Sequence, residues 1–175
     1  WNSDAILPHS RPLDYLQQLA TTPRSLVIHG NYLDDEELAF VANNSKRMAI
    51  VYCPRTHDYL QHSRSPLAKL LAAGACVCLG TDSRASNPDL NLLAEMRHVA
   101  DTHPEVRPDD VLKLGTIAGA KALGIEQDVG SIEPGKRADL AVIALPHEQT
   151  NDPHELLFHS DLPAVTTYLR GQAIT

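Results

Sequence analysis

Residues 75–87 read Ala75-Cys76-Val77-Cys78-Leu79-Gly80-Thr81-Asp82-Ser83-Arg84-Ala85-Ser86-Asn87. An unbroken apolar run ends at a glycine, and a polar stretch follows at once. The run is too short for a helix, and a strand apolar on both faces belongs in a sheet covered on both sides. The chain before it supplies covering. Ser65-Pro66 reads as an N-cap followed by proline at the first helical position, and Gly74 closes that helix. Upstream the same unit recurs. Met48–Cys53 is halted by Pro54 and followed by Arg55-Thr56-His57, and Ser25-Leu26-Val27-Ile28 ends at His29-Gly30-Asn31. Between these runs Asp34 and Glu37 form a capping box ahead of Leu38, Phe40 and Val41. Ser10-Arg11-Pro12 opens a further helix with Leu13, Leu16 and Leu19 at helical spacing.

Apolar strands alternating with helices predict an α/β fold with a parallel sheet and helices outside. Polar residues gather just after each strand: His29 and Asn31, Arg55 to His57, Thr81 to Asn87. In a βα barrel that position is the C-terminal rim, where active sites are built. A Rossmann-like sheet is the alternative, although no G-x-G-x-x-G follows any of these strands. Asn87-Pro88 is expected to cap a long helix through Leu93, Met96 and Ala100, and Pro108–Leu123 a further one closed by Gly124. The character then changes. Residues 129–136 carry strand and turn chemistry, and Ala138–Ala144 reads as a strand. Residues 146–155 read as a loop or short helix, and Val165–Leu169 with Gln172–Thr175 as a closing hairpin. The expected division is therefore 1–124 for the βα part and 125–175 for a small β domain.

Composition narrows the function. A formal net charge of −7 offers no basic stripe to neutralise phosphates, which argues against nucleic acid as a partner. No run approaches the roughly 20 apolar residues of a spanning helix, which argues against a membrane. Three cysteines form no disulfide framework, and reduced thiols in a cytoplasmic protein are the simplest reading. Cys76 and Cys78 would share one strand face. Trp1 is not a translation start, so the chain is expected to begin within a longer protein and to work with a missing N-terminal half. A homo-oligomer is also open.

Val27-Ile28-His29-Gly30-Asn31-Tyr32-Leu33-Asp34, Val51-Tyr52-Cys53-Pro54-Arg55-Thr56-His57, Leu79–Asn87 and Gly130-Ser131-Ile132-Glu133-Pro134-Gly135-Lys136-Arg137-Ala138-Asp139-Leu140 together resemble the metal-dependent amidohydrolases. The branch they are most similar to includes triazine hydrolases and adenosine-type deaminases. The resemblance implies strands 6 to 8 of a TIM (β/α)8 barrel plus part of a small β-sandwich. It implies a divalent metal, Zn or Fe, and a small-molecule substrate. The activity implied is hydrolysis of a C–N bond, deaminating an amino-substituted heterocycle. Loss of a halide or amide from a similar ring is the alternative, and a catalytically silent remnant is the rival.

Residue by residue, Asp82 matches the eighth-strand metal ligand. His29 matches the sixth-strand histidine that approaches water and substrate. Both are thus the catalytic candidates. Thr56 and His57 are candidates for lining the substrate pocket, although relatives often carry asparagine where His57 stands. The family's H-x-H pair, its fifth-strand histidine and its glutamate have no counterpart here.

Plain structural roles stand beside these. Asp82 could be an Asx-turn or N-cap residue, and His29 a satisfied rim histidine. Cys53 reads as a small buried residue, not a nucleophile. Ser83 and Asn87 are expected to organise the loop and cap the next helix. His147, His154 and His159 read as solvated loop residues, and His9 and His62 have no motif support.

Overall fold

A computed structural model describes residues 10–147, 150 and 152–174. Trp1 and His9 lie outside the described residues. Helix α1 (Pro12–Leu19) starts at proline and turns Leu13 and Leu16 inward. Strand β1 (Ser25–Ile28) follows. Helix α2 (Asp35–Asn43) begins at the expected capping box. Glu37 N–H donates to Asp34 Oδ1 at 2.8 Å, and Asp34 N–H donates to Glu37 Oε2 at 3.0 Å. Strand β2 (Met48–Tyr52) leads directly into a short helix, α3 (Pro54–Tyr59), where the sequence suggested loop. Proline ends the strand and, at the first helical position, starts the helix. Helix α4 (Leu67–Ala72) is one residue shorter at its start than expected, with Pro66 as its N-cap. Gly74, at φ +80°, turns the chain into β3 (Cys76–Leu79).

Beyond β3 the expectations need correcting. Helix α5 (Leu92–Thr102) starts after Asn91, not Asn87, because the Asn91 side chain accepts from Leu93 N–H and Ala94 N–H. The Asn87 amide is buried and engaged elsewhere. The single helix expected over 108–123 is two, α6 (Pro108–Leu114) and α7 (Ile117–Leu123). The break falls at Gly115-Thr116, where Met96 Sδ packs so closely that any β-carbon on Gly115 would collide with it. Residues 129–136 form turns with no strand. Strand β4 (Leu140–Ile143), helix α8 (Pro153–Phe158), and strands β5 (Ala164–Leu169) and β6 (Gln172–Ala173) complete the described chain. Arg170 and Gly171, both at positive φ, make the tight β5–β6 turn.

The strands form two sheets, parallel β1-β2-β3 and antiparallel β4-β5-β6. On one face of the parallel sheet, Met48, Ile50, Tyr52, Val77 and Leu79 pack with Leu38, Val41, Leu67, Leu70 and Val99. On the other face Ala49, Val51, Cys76 and Cys78 meet Ala118 and Ala122 of α7, and the small side chains let the helix lie close. Both cysteines do share a face. Fully burying each Val or Leu stabilises the fold by about 1.5–3 kcal/mol. Burial on both faces explains why β2 and β3 are continuously apolar. By contrast β1, on the sheet's edge, leaves Ile28 53% exposed. Helix α8 lies within 125–175, yet it buries Phe158 in the main core. Arg97 of α5 ties it there, donating to the Leu157 carbonyl at 3.2 Å and the Leu162 carbonyl at 2.7 Å. No described helix is long and apolar enough to cross a membrane.

Candidate active site

All three parallel strands end on one rim, which brings their trailing polar residues together. His29 leaves β1 with φ +68°, and Asp82 follows β3 with φ +57°. L-residues seldom rest in this left-handed region, and such backbone collects at functional sites. The chain is closely held next to both residues. The His29 N–H donates to the Val51 carbonyl at 2.8 Å, continuing the ladder one step past β1. A β-carbon on Gly80 would lie 2.7 Å from Val51 Cγ1, so only glycine lets the chain leave β3 so close to β2. His29 Nε2 stands 3.6 Å from Asp82 Oδ2, with the side chains 37% and 34% exposed. Asp82 Oδ1 accepts from Ser83 N–H at 2.8 Å, leaving Oδ2 to face the histidine.

Beneath this pair lies a polar network. Thr56 and His57 sit buried on α3. Thr56 Oγ1 lies 3.1 Å from Ser86 Oγ and donates to the Thr81 carbonyl at 3.4 Å. His57 Nε2 donates to the Ser63 carbonyl at 2.7 Å, and its Nδ1 is 3.0 Å from Asn31 Oδ1. Both ring nitrogens of His57 are thus engaged by protein, and His57 ties the loop after β1 to the end of α3. His62, without motif support in sequence, lies 2.8 Å from the exposed Tyr32 hydroxyl. Ser83 and Asn87 organise the loop as expected, with Ser83 Oγ accepting from Ala85 N–H at 3.3 Å.

Sequence reading placed Arg55 on the rim but missed its partners Glu95 and Asp89. Glu95 is fully buried on α5. It accepts from Arg55 N–H at 3.0 Å and from Asn87 Nδ2 at 2.6 Å. The Arg55 guanidinium grips Asp89 through both oxygens, at 2.7 and 3.2 Å, and this bond holds the Asp89 carboxyl below its ordinary range. A single acidic residue in the first turn of a helix is commonplace, and nothing in its position marks this one as internal.

Burial, with the Asp82 and Glu95 charges adding to it, pushes the Cys53 thiol up to about 12. A thiol so weakly acidic is no nucleophile at neutral pH. His147 and His159 are exposed, and His154 pairs with Asp152 at 2.7 Å. Among the described residues no group of three or more His, Cys, Asp or Glu gathers as a metal site.

A model of the amidohydrolase family matches residues 1–174. A 5-methylthioadenosine/S-adenosylhomocysteine deaminase of Thermodesulfovibrio yellowstonii is 36% identical over 149 residues, 79% of this chain and 34% of that protein. Among solved structures, a zinc-bound adenosine deaminase of Xanthomonas campestris superposes with a TM-score of 0.79. It is 26% identical over 93% of this chain and 40% of its own. A zinc complex of the atrazine chlorohydrolase of Arthrobacter aurescens gives 0.81 at 27% identity, over 93% and 39%. The chain spans about a third of the length of the curated relatives it matches. With the family model matching nearly every residue, the chain belongs to the amidohydrolase family.

Proposed function

We propose that this chain supplies one side of a metal-dependent hydrolase site that deaminates an amino-substituted heterocycle. The observation that carries the reading is the convergence of His29 and Asp82 from two strand ends to 3.6 Å on one open rim. The donors fit a divalent-metal centre as one corner of it: a carboxylate oxygen not held by backbone, beside an imidazole. Catalytic zinc normally takes three protein ligands, so the others come from chain outside the described residues. The relatives' zinc favours that metal over iron.

A divalent metal there supplies a water acidic enough to attack near neutral pH. Asp82 would hold the metal and take up at Oδ2 the proton that the attacking water gives up. His29 Nε2 would hydrogen-bond the charge that builds on the ring, and the amino group would leave as ammonia with the proton that Asp82 gives back, leaving the water's hydroxyl on the ring carbon. Thr56 and His57 contribute to the substrate pocket by holding its loops. The chlorohydrolase relative supports a second outcome on the same site, with chloride as leaving group.

In this reading β1 to β3 correspond to barrel strands 6 to 8, and β4 to β6 to part of the small sandwich, with the division near residue 124. Strand β1, exposing Ile28 at a free sheet edge, then pairs with the preceding barrel strand. Three free thiols suit the cytoplasm.

The test uses the complete polypeptide loaded with zinc. Ammonium release is measured from adenosine, 5-methylthioadenosine and S-adenosylhomocysteine, and chloride release from a chlorinated triazine. Release is expected from at least one, lost on chelation and restored by zinc, with none from the 175-residue chain alone. Zinc-loaded protein that releases neither product from any of them overturns the reading.

A further inference from the structure

We propose that Glu95 is a positioning residue for Asp82, acting through Asn87 and the Thr81 carbonyl without touching substrate or metal. The inference rests on the reading of Asp82 as a metal-holding carboxylate. It starts from an oddity of burial. Glu95 is fully enclosed on the core side of α5, beside the buried Met96 and Val99. A buried carboxylate is costly unless paired, and an apolar residue would serve packing at least as well. Neutralising Arg55 does not explain it, because Asp89 already takes that guanidinium bidentately, while Glu95 Oε1 stands 3.6 Å away.

What a carboxylate does here that no other side chain does is accept only. It has no hydrogen to give. Opposite it, the Asn87 amide must present its NH2 group, and Nδ2 lies 2.6 Å from Glu95 Oε1. The second hydrogen of that group then points at the Thr81 carbonyl, 2.7 Å away. Asn87 Oδ1 is left to accept from Asp89 N–H at 3.3 Å. Glu95 therefore selects one of the two orientations of Asn87, and Asn87 in that orientation anchors the peptide between Thr81 and Asp82. Thr56 Oγ1 holds the same carbonyl from α3. With that peptide plane fixed, Asp82 stays at φ +57°, and Oδ2 faces His29. Released, the peptide relaxes toward ordinary φ and the carboxylate turns away. The other oxygen of Glu95 accepts Arg55 N–H, so one buried side chain ties the exit of β2 to the loop after β3.

The experiment measures zinc affinity of the metal-free complete polypeptide by chelator competition, with thermal melts beside it. Glu95→Gln keeps the shape but gives the site a donor, so Asn87 can turn over. Affinity is expected to fall at least about tenfold, in the range usual for residues that orient a metal ligand. Asn87→Ala should match it, and the double variant should be no weaker than either alone. If Glu95→Gln does not fold, Asn87→Ala carries the comparison with the parent protein. Wild-type zinc affinity in Glu95→Gln, or in Asn87→Ala, overturns the positioning role provided Asp82→Asn has lost affinity. Losses that multiply in the double variant overturn it too. Wild-type affinity in Asp82→Asn overturns the reading of Asp82 itself, and the inference with it.

Discussion

Replacing Asp82 by asparagine and by alanine should separate the chemistry at the rim from the fold beneath it. Asparagine is among the few residues that accept the left-handed backbone Asp82 occupies at φ +57°. Its side-chain oxygen can still take the Ser83 N–H that Asp82 Oδ1 accepts at 2.8 Å. What vanishes is the charge. Its attraction to His29 at 3.6 Å, between groups each more than a third exposed, contributes at most about 1 kcal/mol after solvent screening. For the complete protein that corresponds to a Tm change of no more than roughly 4 °C. Alanine is different. It keeps neither the acceptor nor the tolerance for this backbone, whose strain alone costs roughly 1–2 kcal/mol. Turnover should ignore this difference. On the proposed reading both variants lose the carboxylate that would hold the metal and take the proton. A loss of about three orders of magnitude, or about 4 kcal/mol in barrier, is expected for each. The assays are product release at saturating substrate, zinc content and thermal melts on the same preparations. Near-normal turnover with full zinc in Asp82→Asn would refute the reasoning. So would turnover that tracks Tm through the series, since Asp82 would then be a structural residue.

His29→Asn, chosen because asparagine tolerates the φ of +68°, should depress kcat far more than zinc occupancy; zinc lost in proportion to activity would make His29 a primary ligand. Gly80→Ala places a β-carbon 2.7 Å from Val51 Cγ1 and 3.2 Å from Cys53 Sγ, and should destabilise by about 1–3 kcal/mol in denaturant melts; an unchanged midpoint refutes it. Burial holds His103 below the ordinary imidazole range, only partly offset by its Glu105 hydrogen bond. The unfolded chain therefore binds the proton first as pH falls, so the contribution is full above about pH 6.5 and drains below it. Melts from pH 8 to 5 should show a shallower decline in His103→Gln, and equal slopes in the two proteins would exclude this group.

Strand positions were legible because burial on both faces writes itself into composition. Each of β1, β2 and β3 lies where an apolar run stands, and the rim follows from the polar residues after each. Helix ends were less legible, because several residues compete for one role. Asn87-Pro88 and Asn91 are equally good starts for α5 by local chemistry. The choice is made by Glu95, which draws Asn87 into the interior. The split of α6 from α7 likewise depends on Met96, a residue of another helix. Motif and strand position pointed to His29 and Asp82. The network that holds them was hidden, since Glu95 meets Arg55 only after the chain has passed through α4, β3 and the loop after it.

The plain structural explanations for the rim pair can be weighed against this geometry. Capping does not account for Asp82, because α5 begins at Leu92 and is capped by Asn91. An Asx-type contact accounts for Oδ1, which Ser83 N–H uses, and leaves Oδ2 unexplained. For His29, the described residues provide one polar side-chain partner, and that partner is Asp82. Each residue holds a left-handed backbone that L-residues seldom adopt, Asp and His more readily than most, while their mutual attraction on an exposed rim returns at most about 1 kcal/mol. On structural grounds alone glycine would do better at both positions, as it does at the neighbouring Gly30 with φ +60°. An uncommon backbone with little local gain is what the proposed site at this rim would account for. A fully buried carboxylate beneath the same loop extends the pattern one layer inward. A silent remnant of the fold offers no reason for either the rim pair or the buried acceptor, and the proposed site offers one for both.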